Sequence, residues 1–102
     1  MSTTLQSLIQ GKNLGISAKT LRALSHPLRL YLIGFIDEHK KINVNKIYRS
    51  LKLEQSLTSQ HLRILRDENL VITAREGKFI FYSLNYSRLK KIGELVAGFF
   101  GA

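Results

Sequence analysis

Polar side chains of a kind that can read nucleic-acid bases recur at helical spacing in the middle of the chain. They fall on one side of a helical wheel with 3.6 residues per turn, and they are Ser56, Ser59, Gln60 and Arg63. Arginine matches the paired acceptors of guanine, glutamine matches adenine, and serine can bond to either base. Gln55, directly before them, completes the set of candidate base contacts. The pattern favours a helix whose outer face reads the edges of bases in duplex DNA.

The opposite side of this stretch is apolar, as a helix that packs against its own domain requires. Leu57, Leu62 and Leu65 supply that side, and His61 and Ile64 lie on its flanks. We expect the helix to end at position 69, where an asparagine tolerates the left-handed conformation of a C-terminal cap.

A second helix is predicted just before this one, from about Val44 to Leu51, with Ile47 and Leu51 facing inward. Residues 52–54 then form the tight turn that joins the two helices of a helix-turn-helix unit, which we assign to residues 44–69. The alternative is an ordinary pair of helices in a bundle. The polar outer face of the second helix favours the DNA-binding interpretation.

A short basic hairpin is predicted next, over residues 71–84, with Gly77 supplying the positive φ of its turn. Arg75 and Lys78 flank the tip of this hairpin, where they could contact phosphate or the minor groove. Phosphate contacts fix the register of a protein on DNA without carrying direct sequence information. The alternative is a solvated turn, because charged hairpin tips are common. The role of Arg66 has two interpretations: its side chain could contact a phosphate, or it could form an ion pair with one of the acidic residues that follow it.

The rest of the chain is predicted to be helical, so the fold class is mainly α with a small β-hairpin, a winged helix-turn-helix. Short helices are expected over residues 2–10 and 17–24. Ser25 is the expected N-cap of the next helix, which has Pro27 in its first turn and runs to about residue 40. Residues 41–43 form a connector or a brief strand, and an asparagine at 85 caps the last helix. The core face of the helix after Pro27 is expected to comprise Leu28, Tyr31, Leu32, Phe35 and Ile36.

Both ends of the chain carry apolar side chains that a partner subunit would cover. Aromatic residues come so late in the last helix that, left exposed, they would promote aggregation. We therefore predict that residues 1–24 and 85–102 supply dimerisation helices to a single domain spanning 1–102. The candidate dimerisation residues are Leu5, Leu8, Leu89, Ile92, Leu95, Val96 and Phe99. The alternative is a small-molecule pocket lined by the same aromatic side chains.

The charge of the chain agrees with a polyanionic partner. Sixteen Lys and Arg against seven Asp and Glu give a net charge of +9 and a pI near 10.2.

The absence of cysteine excludes disulfides and thiolate metal sites. No two histidines are three or four residues apart, so we expect neither a metal nor another cofactor. No catalytic motif is present, so an enzyme is not expected. No signal peptide and no membrane-length apolar run is found, so a cytoplasmic location is expected.

Three segments together resemble the ArsR/SmtB (arsenic-repressor) family of bacterial winged-helix regulators. They are residues 23–30 (ALSHPLRL), 55–65 (QSLTSQHLRIL) and 75–84 (REGKFIFYSL). The resemblance covers about residues 21–85, and its most specific parts are the step Ser59-x-His61-Leu62 and the hairpin. It implies a homodimer, joined through its first and last helices, that binds inverted-repeat operator DNA. It also implies repression of the regulator's own operon until an inducer releases the DNA, with operator contacts by Ser56, Ser59, Gln60 and Arg63.

The chain departs from the metal-sensing members of that family in ways that leave the inducer unidentified. Asn43-Val44-Asn45 stands where those members carry Cys-x-Cys, and the last helix lacks the Asp and His ligands of the zinc sensors. Asn69 replaces the usual glycine at the end of the recognition helix. We therefore predict a dimeric repressor that binds double-stranded DNA, with an unknown small molecule as its inducer if it has one. The main alternative is a winged-helix module that binds protein or RNA, and an enzyme is a distant third.

Overall fold

The computed structural model describes residues 16–99, which form five helices and a three-stranded antiparallel sheet. This agrees with the predicted fold class. The sheet contains the two strands of the predicted hairpin and one further strand. The elements in chain order are α1 (Ala18–Leu24), α2 (Pro27–His39), β1 (Lys41–Asn43), α3 (Val44–Leu51), α4 (Gln55–Asp67), β2 (Val71–Glu76), β3 (Phe79–Leu84) and α5 (Tyr86–Phe99). The helix expected over residues 2–10 lies outside the described residues.

The start of α2 differs from the prediction by one residue. His26, rather than Ser25, is the N-cap, because its Nδ1 accepts a hydrogen bond from the backbone N–H of Leu28 over 3.1 Å. Pro27 then occupies the first helical position, where its missing N–H costs nothing. Ser25 instead ends α1, and its hydroxyl donates to the carbonyl of Leu21. Proline fixed the location of this boundary, but the preference of serine for caps indicated the wrong residue.

The third strand comes from the segment between α2 and α3. Residues Lys41–Asn43 pair antiparallel with β3, so the strand order is β1-β3-β2 and β3 lies in the middle. The hairpin itself has its turn at Gly77, which has a φ of +64°. Asn69 has a φ of +60°, as expected for the end of the recognition helix. Lys52 has a φ of +52° in the turn between α3 and α4.

One side of the sheet and the inner faces of the helices share a single core. Its fully buried side chains include Leu32, Ile36, Ile47, Leu62 and Leu65. Each such side chain contributes roughly 1.5–3 kcal/mol by leaving water, so this cluster is what fixes the positions of α3 and α4.

Two residues of the predicted apolar faces, one in α2 and one in α4, prove to be exposed. Tyr31 of α2 is 58% exposed, whereas the neighbouring Leu32 is fully buried. Leu57 of α4 is 42% exposed, and Thr58 takes its place in the core with no exposure. Thr58 can be buried because its hydroxyl donates to the carbonyl of Glu54 one turn earlier. Counting only apolar residues therefore misplaced one position of the inner face of α4, whereas Leu62 and Leu65 are buried as predicted.

Candidate nucleic-acid interface

The outer face of α4 is polar and open to solvent. Gln55, Ser56, Gln60 and Arg63 are all exposed, and Arg63 lies one turn after Ser59. The helix is held from behind by its buried residues Thr58, His61, Leu62 and Leu65. Because that inner face is fixed, the outer side chains project from a rigid element, which is what base readout requires. The predicted candidates on α4 therefore share one side of the helix, apart from Ser59.

Ser59 lies at the edge of this face and is half-buried. Its Oγ is 2.6 Å from the hydroxyl oxygen of Tyr48 on α3, so the two helices of the helix-turn-helix are joined by a hydroxyl pair. Tyr48 was not among the residues singled out from the sequence. A signal was available, because Tyr48 follows the buried Ile47 and hence lies beside the core at the junction of α3 and α4.

The hydroxyl of Ser56 also has a partner within the protein. It donates to the carboxylate of Glu54 over 2.6 Å at the first turn of α4. A carboxylate at this end of a helix is favoured by the exposed backbone N–H groups of the first turn. Ser56 must therefore give up or share this bond in order to contact a base, whereas the side chains of Gln60 and Arg63 have no such competitor among the described residues.

The hairpin presents Arg75 and Lys78 as predicted. Both are exposed, and Arg75 pairs across the strands with Ile80, which is itself 41% exposed. The Nζ of Lys78 lies 5.7 Å from the centre of the Phe79 ring, a cation–π contact that holds the amine near the tip. The wing is braced at its other edge, where the amine of Lys41 contacts the carboxylate of Glu76.

One buried tyrosine, Tyr82, lies on the middle strand of the sheet. This side chain of β3 is 8% exposed, and burial raises the pKa of its phenol above the ordinary value. The positive charges of Arg66 and Arg63 oppose that increase. Arg66 also approaches the carboxylate of Asp67 at 3.5 Å. An exposed contact of this length is worth little, so Arg66 is available to a phosphate.

Further basic side chains on α3 were missed in the sequence. Lys46 and Arg49 are exposed on the first helix of the helix-turn-helix, which in this class of motif crosses the phosphate backbone. They follow the N-cap Asn43, whose side chain accepts the N–H of Asn45 over 2.8 Å. Lys46 and Arg49 are three residues apart and therefore lie on the same side of this short helix, a sequence pattern from which they could have been identified.

Two kinds of feature were not found in the part of the chain that the structure describes. Residues 16–99 contain no group of three His, Cys, Asp or Glu side chains placed to hold a metal ion. Among the same residues, no helix is long and apolar enough to cross a membrane.

Comparison with known proteins identifies the family. The model of the family described as "Bacterial regulatory protein, arsR family" matches residues 26–73. The transcriptional repressor PagR of Bacillus anthracis is 34% identical over 94% of this chain and 96% of its own length. The transcriptional activator HlyU of Vibrio cholerae is 32% identical over 83% of this chain and 78% of its own length.

Solved structures agree with this assignment. The crystal structure of PagR superposes with a TM-score of 0.64 at 37% identity, covering 76% of this chain and 86% of that one. The five helices and the small three-stranded sheet match winged helix-turn-helix regulators such as PagR. The known members are regulators rather than enzymes. With its exposed polar recognition face, its basic wing and these relatives, the chain belongs to the ArsR family and is a DNA-binding transcriptional regulator.

Proposed function

We propose that this regulator is a homodimeric repressor that binds an inverted-repeat operator in double-stranded DNA. The observation that carries the proposal is the exposed stripe of Gln60 and Arg63 on a helix whose opposite face is locked into the core. These two side chains are free to read base edges, and Arg63 suits guanine through two parallel hydrogen bonds. Gln55, Ser56 and Ser59 complete the base-reading set. Arg75 and Lys78 of the wing contact the sugar-phosphate backbone.

The packing of α5 supports the dimer. The start of this helix is anchored, because the hydroxyl of Tyr86 donates to Asp37 over 2.6 Å and Arg88 donates to the carbonyl of Glu68 over 2.9 Å. Ile92 is buried in its own subunit. Beyond these anchors α5 has few close approaches to other elements.

The surface that we assign to the partner subunit is therefore the later part of α5. Leu95 and Val96 are half-buried there, as is Leu89 nearer its start, so each packs partly against the core of its own subunit and leaves the rest of its side chain for a partner. Because Ile92 already stabilises its own subunit, these three residues carry the proposed contact within α5. Leu5, Leu8 and the side chain of Phe99, which were also assigned to the interface from the sequence, lie outside the described residues. A two-fold dimer of this kind presents two recognition helices, which fits an inverted repeat.

Repression is proposed because the family resemblance implies it and because PagR is named a repressor. An inducer, if the protein has one, has a candidate place in an open cleft of about 290 Å³ between α1 and the end of α4. Lys19 and Arg22 line this cleft together with Asp67 of the recognition helix. This cleft lies elsewhere than the pocket lined by late aromatic side chains that the sequence offered as an alternative, and its lining combines charged groups with Ala23 and Ile64.

The experiment that tests the proposal is selection of binding sites from random duplex DNA by the purified protein. We expect enrichment of an inverted repeat whose half-sites lie roughly 34 Å apart, one turn of the duplex, with two chains bound per site. The same site should then occur upstream of the regulator's own gene. Enrichment of an unrepeated site bound by one chain would contradict the dimer. No enrichment, together with tighter binding to single-stranded or structured RNA, would favour the alternative of an RNA-binding module.

A further inference from the structure

The hydroxyl pair between α3 and α4 constrains how one base-reading residue can form hydrogen bonds. The oxygen of Tyr48 and the Oγ of Ser59 are 2.6 Å apart, and this is the one hydrogen bond of the Ser59 side chain within residues 16–99. The neighbouring Thr58 differs, because its hydroxyl is committed to the carbonyl of Glu54. Ser59 therefore keeps hydrogen-bonding capacity that the protein does not use.

The direction of the Tyr48–Ser59 bond decides what that remaining capacity is. Each hydroxyl has one proton to donate and lone pairs that accept. A phenol is a stronger proton donor than an aliphatic alcohol, so the favoured arrangement has Tyr48 donating to Ser59. One lone pair of the serine is then occupied, and its own proton is free to point away from the protein. Ser59 is left with its proton and a single lone pair, which biases it toward donating in the groove.

Tyr48 is well placed to impose this arrangement. Its ring is half-buried and packs against the core, so its hydroxyl is fixed in space. Ser59 lies within one helical turn of both Ser56 and Arg63, and hence beside the exposed stripe of the recognition helix. A hydroxyl held as a donor at the edge of that stripe favours bases that present a hydrogen-bond acceptor in the major groove.

We propose that Tyr48 is a specificity-determining residue, which holds the Ser59 hydroxyl as a donor and thereby selects a base with an acceptor edge. Guanine and the O4 of thymine offer such acceptors, whereas the amino group of cytosine offers a donor. Tyr48 acts through Ser59 and need not touch the DNA itself. The inference rests on the proposed function, since it assumes that α4 reads base edges.

The test compares site selection by the wild-type protein and by Tyr48→Phe. This change removes the hydroxyl and keeps the ring in the core, so folding is preserved and is checked by thermal unfolding. Without the phenol, both lone pairs of the Ser59 hydroxyl can accept and its orientation is no longer fixed, so discrimination against cytosine at one position of each half-site should fall by roughly threefold to tenfold. Preference at the other positions should stay as it is. Tyr31→Phe, a matched change at an exposed tyrosine of α2, should leave the whole profile unaltered.

A double variant separates the proposed mechanism from a general weakening of the interface. Ser59→Ala should relax the same position, and Tyr48→Phe combined with Ser59→Ala should do no more than Ser59→Ala alone. An unchanged profile for Tyr48→Phe, or additive effects of the two changes, would overturn the proposal while the DNA-binding function stands. If the wild-type protein itself selects no site, the proposed function fails and this inference fails with it.

Discussion

The Nη1 of Arg29 on α2 lies 3.1 Å from the Nδ1 of His61 on the inner face of the recognition helix. The guanidinium can only donate, so the histidine nitrogen accepts and the ring is neutral. Arg29 also donates to the carbonyls of Ala23 and Arg22, which fixes it at the junction of α1 and α2. The ring of His26 lies 4.5 Å away from that of His61. The recognition helix is thus tied to α1 and α2 through an uncharged histidine.

This relationship predicts that the protein loses stability in mild acid. Burial lowers the pKa of His61 below the ordinary value of 6.5, and the charges of His26 and Arg29 lower it further. Between the two pKa values the unfolded chain binds more protons than the folded one, so the free energy of unfolding falls as the pH drops below 6.5. Urea denaturation at a series of pH values from 7.5 to about 4.5 should show this loss.

A matched pair of variants tests the assignment to His61. Glutamine offers an acceptor to Arg29 but does not titrate, so His61→Gln should flatten the pH dependence of the unfolding free energy. His39→Gln changes an exposed histidine near the end of α2 and should keep the wild-type dependence. If the His61→Gln variant retained the full loss in acid, the titration would have to come from another group.

The wing should contribute affinity without contributing sequence preference. For B-DNA, the logarithm of the binding constant falls with the logarithm of the salt concentration at a slope of about −0.9 for each phosphate contact. Replacing Arg75 and Lys78 by alanine should shallow that slope by about 0.9 per lost contact and leave the selected sequence unchanged. Lys90→Ala removes an exposed cation of α5 and serves as the control. An altered base preference in the double variant would show that the wing reads bases.

Dimerisation should depend on the later part of α5. A carboxylate in place of Leu95 would be buried in the proposed interface without a partner, so Leu95→Glu should give a particle of 11.6 kDa in place of twice that mass by light scattering. Ala97 is exposed on the other side of the helix, and Ala97→Glu should remain a dimer. A dimeric Leu95→Glu protein that is fully folded would place the interface elsewhere.

Metal ions should not release this regulator from DNA. The chain has no cysteine for thiophilic ions, and residues 16–99 bring no three potential ligands together. Zinc, cadmium and arsenite, each titrated against the protein–operator complex at constant salt, should change the affinity less than about twofold. A tenfold loss at stoichiometric metal, about 1.4 kcal/mol of coupling, would contradict this and would indicate ligands shared between subunits or drawn from outside the described residues.

The sequence predicted the elements well where local chemistry is decisive. The bounds of α3 and of the hairpin agree with the prediction, because a tight turn and a glycine with positive φ determine them. It was less successful where a polar residue is buried with an internal partner. Thr58 lies in the core because its own helix satisfies its hydroxyl, and His26 caps α2 through a ring nitrogen. Neither hydrogen bond can be predicted from the positions of apolar residues in the sequence.

The candidate site shows the same division. Exposure of Gln60, Arg63, Arg75 and Lys78 follows from periodicity and turn chemistry, both of which are local. The partner of Ser59 could not be predicted in this way, since Tyr48 is eleven residues away and meets it only when α3 and α4 pack. Contacts of this kind depend on tertiary structure, and they are the contacts that adjust how a base-reading residue forms its hydrogen bonds.

The central claim is that the outer face of α4 reads DNA sequence, and Arg63→Ala tests it most directly. The purified variant and the wild type are titrated at the same salt concentration against the selected operator and against unrelated duplex DNA. Loss of an arginine–guanine pair should weaken operator binding by roughly 1–3 kcal/mol and relax preference at one base pair per half-site, with a much smaller effect on unrelated DNA. Lys90→Ala should show neither effect. Unchanged operator affinity and unchanged base preference in Arg63→Ala would contradict the account.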